Sequence, residues 1–153
     1  MTACDQAREL QRIIDQRLIS TMFQPIVDCQ KGTILGYEVL SRGPSDSPLR
    51  GAPALFQAGE QCKQVVSLEQ ACLLEAGQSC IRYGVSHLVF VNVSPGLLLP
   101  KAFAEDRLQS LLTTNGLTPE NVVIELSERY PTDNPEALKA RLTALKKIGR
   151  AHV

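Results

Sequence analysis

The sequence has no tryptophan, only 5% aromatic residues and no excess of either charge. Lys plus Arg and Asp plus Glu each total 16, giving a formal net charge of zero. That balance excludes a general binder of nucleic acid polymers or anionic membrane surfaces, whose affinity rests on a basic excess. A small anionic ligand stays open, because it needs only one or two well-placed donors. Long hydrophobic runs are missing too. The longest, such as Leu88–Val93, are strand-sized, so no membrane segment is expected. The opening Met1-Thr2-Ala3-Cys4-Asp5 lacks the basic-then-apolar layout of a secretion signal. Five cysteines (Cys4, Cys29, Cys62, Cys72 and Cys80) form no C-x-x-C pair and are odd in number. This argues against a structural zinc site or a disulfide framework. Reduced thiols, packed as small buried hydrophobes in a cytoplasmic protein, are the expectation.

What is present suits one soluble globular domain: 153 residues, 44% of them apolar and 21% charged. Ala7–Leu18 reads as an amphipathic helix with Leu10, Ile13, Ile14 and Leu18 on one face. Met22–Asp28 is a strand in which Pro25 predicts a strand end or a bulge. The turn Gln30-Lys31-Gly32 and a second strand, Thr33–Leu40, complete an antiparallel hairpin. The Pro-, Ser- and Gly-rich stretch from Gly43 to Pro53 is a loop. Helical patterns follow at Ala54–Gln61 and Leu68–Tyr83. Leu88–Val93 and Val122–Leu126 are apolar strands covered on both faces, with a helix predicted at Phe103–Thr113 between them. A final helix at Pro135–Lys147 takes Asp133 or Asn134 as its N-cap. After the hairpin, strands and helices alternate. The fold class is therefore α/β with parallel strands, as in a (β/α) barrel or a doubly wound sheet.

Three polar residues, Glu38, Asn92 and Glu125, stand at the C-terminal ends of apolar strands. Burying such groups costs several kcal/mol unless something compensates. In a barrel, those ends converge on one rim. Two carboxylates and an amide are hard oxygen ligands suited to Mg²⁺ or Mn²⁺. Any one of them alone would read as a cap on a neighbouring loop; three in register point to a site. Arg42, four residues past Glu38, carries a planar fork suited to phosphate or, equally, to a nearby acid. Gln24 interrupts an apolar strand and either contacts a ligand or bonds to backbone. His87 and His152 have no partner at metal-ligand spacing, and Ser94 lies in no nucleophile elbow.

Phe23-Gln24-Pro25-Ile26-Val27-Asp28 followed by Gly36-Tyr37-Glu38-Val39-Leu40-Ser41-Arg42 resembles the opening of EAL domains, with valine inside the signature Glu-x-Leu. Phe90-Val91-Asn92-Val93-Ser94-Pro95 resembles the family's asparagine strand, and Val123-Ile124-Glu125-Leu126-Ser127-Glu128 its next metal-binding strand. The matches run in order from about Met22 to Gly149. The resemblance implies a (β/α)8 barrel that hydrolyses cyclic di-GMP to linear pGpG with Mg²⁺ or Mn²⁺. It matches Glu38, Asn92 and Glu125 to metal ligands, and Gln24, Leu40 and Arg42 to substrate-binding positions. It also implies, for the intact protein, a homodimer with fused sensory or GGDEF domains.

The family's later aspartate pair, lysine and glutamate have no counterpart before Val153. Residues 1–149 are accordingly read as the N-terminal portion of an EAL domain. The tail Ile148-Gly149-Arg150-Ala151-His152-Val153 reads in frame as a common sequencing-library adapter, so residues 148–153 are expected to be an assembly artefact. The segment alone is expected to fold poorly, to aggregate through its uncovered sheet and to lack phosphodiesterase activity. The alternative reading is a degenerate EAL domain, a signalling module that binds cyclic di-GMP or a protein without catalysis. An unrelated α/β-barrel hydrolase is a more distant one.

Overall fold

Apolar runs bounded by turns set the frame. The computed structural model describes residues 2–98, 113, 116–118, 120–127, 132 and 134–148. Its strands are β1 (Ser20–Asp28), β2 (Thr33–Arg42), β3 (Leu88–Val93) and β4 (Val122–Leu126). They form one sheet in the order β1-β2-β3-β4, antiparallel in the β1–β2 hairpin and parallel thereafter. The helices are α1 (Ala3–Asp15), α2 (Ala52–Gln61), α3 (Val65–Tyr83), the single turn α4 (Pro95–Leu98) and α5 (Pro135–Ile148). The expected helix Phe103–Thr113 lies outside the described residues except for Thr113, which is helical, and the tail 149–153 lies outside them entirely. Among the described residues, no helix is long and apolar enough to cross a membrane.

Period-2 alternation decides which side of the sheet each residue serves. Val89, Val91 and Val93 of β3 and Val122 and Ile124 of β4 pack into one core with Leu73 and Cys80 of α3, and Phe23 and Val39 join from the hairpin. A second core joins Leu10 and Ile13 of α1, Leu49 of the loop after β2, Leu55 of α2, and Leu68 and Cys72 of α3. The opposite sheet face holds Gln24, Glu38, Leu40, Arg42, Phe90, Asn92 and Glu125, and is more open: Gln24 and Asn92 are exposed. Gly36 lets β2 and β3 approach closely, since a Cβ there would run into the Leu88 carbonyl and come within 2.8 Å of the Phe90 ring.

Several boundaries differ from expectation for identifiable reasons. Helix α1 starts at Ala3 rather than Ala7 because Thr2 and Asp5 form a capping box. It ends at Asp15, ahead of Arg17, whose φ of 53° breaks the helix. Pro25 sits inside β1, opposite Tyr37, and the bulge falls at the next step, between Ile26 and Val27. Among the described residues β1 has a neighbour on one side only, so a residue without an N–H is tolerated there. Pro53 belongs to the first turn of α2 rather than to the loop. Asn134 is the cap of α5, accepting from Ala137 N at 3.0 Å. All five cysteines are free, but only Cys72 and Cys80 are buried. Cys62 is half-buried, and Cys4 and Cys29 are exposed, on the first turn of α1 and in the hairpin turn.

Candidate functional site

The parallel register brings the polar residues of the open face together. Asn92 and Glu125 are direct partners across β3 and β4, and Glu38 pairs with Phe90, one step along the same face. The Asn92 Nδ2 donates to Glu38 Oε1 at 2.8 Å. Burial raises the pKa of Glu125 above its ordinary value, and the negative charge of Glu38 raises it further. Two carboxylates and an amide from three strands therefore share one site. Among the described residues, no third His, Cys, Asp or Glu joins them.

Glu38 corrects one expectation. It lies mid-strand rather than at a strand end, because β2 continues to Arg42 in its pairing with β1. It is nonetheless the last residue of β2 in register with β3, at Glu38↔Phe90. Beyond that point the two strands part. The gap holds a cavity of about 200 Å³ whose lining includes Leu40, Ser41, Phe56, Asn92, Ser127 and Glu69 of α3. Glu69 is 4% exposed, and its carboxylate accepts from Ser94 N at 2.8 Å and Ser94 Oγ at 2.6 Å. Burial pushes its pKa up to about 7 against the pull of those two bonds.

A family model described as the EAL domain matches residues 7–151. The chain belongs to the EAL domain family. An uncharacterised protein of Mycobacterium tuberculosis is 29% identical over 150 residues, covering 92% of this chain and 23% of that protein. The probable cyclic di-GMP phosphodiesterase PdeG of Escherichia coli is 26% identical over 147 residues, covering 92% of this chain and 28% of that protein. This EAL domain thus spans about a quarter of the length of the curated relatives it matches. The manganese and cyclic di-GMP complex of BlrP1 from Klebsiella pneumoniae superposes with a TM-score of 0.72 at 22% identity, over 87% of this chain and 33% of that one. The fold is therefore that of EAL proteins, with the barrel incomplete.

Within this EAL domain the remaining expected site residues are placed as follows. Gln24 stands opposite Glu38 across the hairpin and is exposed. Arg42 shares the face of Glu38, and its Nη1 donates to the carbonyl of Ser41 at 2.9 Å. It forms no ion pair among the described residues, so its other donors are not committed to a neighbouring acid. Leu40 lines the cavity. His87 packs edge-on against Tyr37, with ring centroids 5.6 Å apart. Sequence reasoning overlooked Glu69 and its bond to Ser94. The available signal was a carboxylate on the apolar stripe Leu73, Ala76 and Cys80 of the same helix, where a hydrophobic residue belongs.

Proposed function

We propose that this EAL domain is the opening part of a cytoplasmic, metal-dependent phosphodiesterase that hydrolyses cyclic di-GMP to linear pGpG. The observation that carries the reading is the convergence of Glu38, Asn92 and Glu125 on one face, with the Asn92 amide bonded to Glu38 at 2.8 Å. The donor set fits a hard divalent cation. Glu125 feels the charge of Glu38, a repulsion that a cation between them would relieve. Glu38, Asn92 and Glu125 would therefore hold Mg²⁺ or Mn²⁺. Such an ion, when bound, supplies an acidified water and neutralises charge building on a phosphodiester.

The chain's own groups bind and orient the dinucleotide. The Arg42 guanidinium receives a phosphate, Gln24 bonds to the ligand from the neighbouring strand, and Leu40 shapes the pocket for one nucleotide. The Escherichia coli relative named for this activity and the Klebsiella pneumoniae complex with manganese and cyclic di-GMP support the assignment. The test is product analysis of cyclic di-GMP incubated with Mn²⁺ and the intact gene product carrying this segment. Linear pGpG is expected from that protein, and none from the 153-residue chain alone. Tight nucleotide binding without turnover would leave a non-catalytic module in its place. Turnover that survives Glu38→Gln or Glu125→Gln would refute the metal site.

A further inference from the structure

Asn92 is held by backbone bonds on one side only. Toward β4, the register runs through Asn92↔Glu125 and Val93↔Leu126, and Ser127 N donates to Val93 O at 2.9 Å. Toward β2, pairing stops at Glu38↔Phe90, two residues short of Asn92. The end of β3 thus borders a cavity where a ladder would ordinarily fix it. Glu69 reaches into this gap from α3. Its two oxygens take both donors of Ser94, the residue two places beyond Asn92. Ser94 in turn caps α4, since Leu97 N donates to Ser94 Oγ at 3.3 Å and to Ser94 O at 3.1 Å. The β3-to-α4 corner is therefore tied to α3 by this carboxylate, besides the apolar packing of Val93, Leu97 and Leu98 in one core with Leu73.

Burying that carboxylate is costly, and the two Ser94 donors it satisfies are what the helix face gains from it in place of an apolar side chain. Its geometric return is a fixed corner directly after Asn92, on the side where the sheet gives no support. We infer that Glu69 is a positioning residue for the Glu38–Asn92–Glu125 cluster, acting through Ser94 to hold Asn92 against Glu38. The inference rests on the metal-site reading above and names a residue through which that site is built.

The test is Mn²⁺ affinity, read by electron paramagnetic resonance on the intact gene product carrying this segment, together with its melting temperature. Glu69→Met keeps the length of the side chain and removes both acceptors. It is expected to weaken Mn²⁺ binding about tenfold, the usual size for losing a partner that orients a ligand, while the melting temperature reports separately the cost of leaving the two buried Ser94 donors unpaired. Glu69→Gln can accept from Ser94 N and donate to Ser94 Oγ, and is expected to restore affinity to within about threefold. In an Asn92→Ala background, Glu69→Met is expected to cost nothing further, because its effect runs through Asn92. Should Glu69→Met fail to fold, Ser94→Ala removes one of the two bonds and is expected to cost about fivefold. Wild-type affinity in both Glu69→Met and Ser94→Ala, or full additivity with Asn92→Ala, overturns the positioning role. Glu38→Gln in the same series tests the site itself. If it leaves Mn²⁺ affinity unchanged, the metal reading fails and this inference falls with it.

Discussion

Raising the pH should destabilise this domain, and Glu69→Gln should abolish most of that sensitivity. Glu69 is 4% exposed, and burial lifts its pKa from an ordinary 4.5 to about 7. A carboxyl with a raised folded-state pKa holds its proton more tightly when folded. The folded state is thus penalised once the pH passes 4.5, and the penalty grows until the pH passes about 7. The gap between 4.5 and about 7, at about 1.4 kcal/mol per pH unit, amounts to about 3 kcal/mol in full. Roughly 1 kcal/mol of this is already present at pH 5, so about 2 kcal/mol of stability is lost between pH 5 and pH 8.5. Cys72, one turn along α3 and 7% exposed, provides a local probe. Pulsed maleimide labelling of Cys72 across a urea gradient, read by peptide mass spectrometry, gives the midpoint for this region in a protein of any length. Comparing wild type with Glu69→Gln at each pH cancels the chemistry of labelling. It also cancels Glu125, whose raised pKa acts in the same direction in both proteins. Glu69→Gln is expected to gain on wild type as the pH rises, by about 2 kcal/mol over this range. Parallel pH profiles for the two proteins would refute the reasoning.

On the proposed metal site, Glu38→Gln and Glu125→Gln should each lower kcat/KM for cyclic di-GMP by about 100-fold or more, since each removes one of the two charges that would hold the cation. Arg42→Ala should raise KM about tenfold with a smaller change in kcat, and Arg42→Lys should recover only part of it, because a point charge replaces a fork. Steady-state kinetics on the intact gene product separates these outcomes. Gly36→Ala should cost about 2 kcal/mol, since its Cβ meets the Leu88 carbonyl and the Phe90 ring. A lowered urea midpoint for Cys72 labelling would show it.

The parts of the fold readable in the sequence are those where local pattern and final environment agree. Leu88–Val93 and Val122–Leu126 are almost wholly apolar, and both strands begin and end where that pattern does. The hairpin was legible from its turn. The extension of β2 to Arg42 was not, because it depends on continued pairing with Ser20 and Thr21 rather than on any property of Ser41 or Arg42 themselves. The start of α1 was legible in principle, since Thr2 and Asp5 stand at capping-box spacing. The same division holds at the site. Glu38, Asn92 and Glu125 could be picked out because each is a polar residue in an apolar strand. The tie between Glu69 and Ser94 spans 25 positions and carries no periodic signature. A misplaced charge on the inner stripe of α3 was the only trace of it.

The site's dependence on register explains why the hairpin precedes the parallel strands. Successive strand residues face opposite sides, so a one-residue slip of β2 against β3 would turn Glu38, Leu40 and Arg42 into the helix-facing core and bring Val39 out in their place. An all-parallel pair of apolar strands has little to prevent such a slip. Here two contacts fix the register. Gly36 admits Leu88 and Phe90 at a distance that any Cβ would crowd, and the antiparallel partner β1 pairs with β2 from Asp28↔Thr33 to Ser20↔Arg42, with one register shift between Ile26 and Val27. The hairpin can therefore carry β2 past the end of its pairing with β3 without losing alignment. That overhang places Leu40 beside the cavity and Arg42 on the face of Glu38, and it leaves the gap whose cavity Glu69 lines from behind.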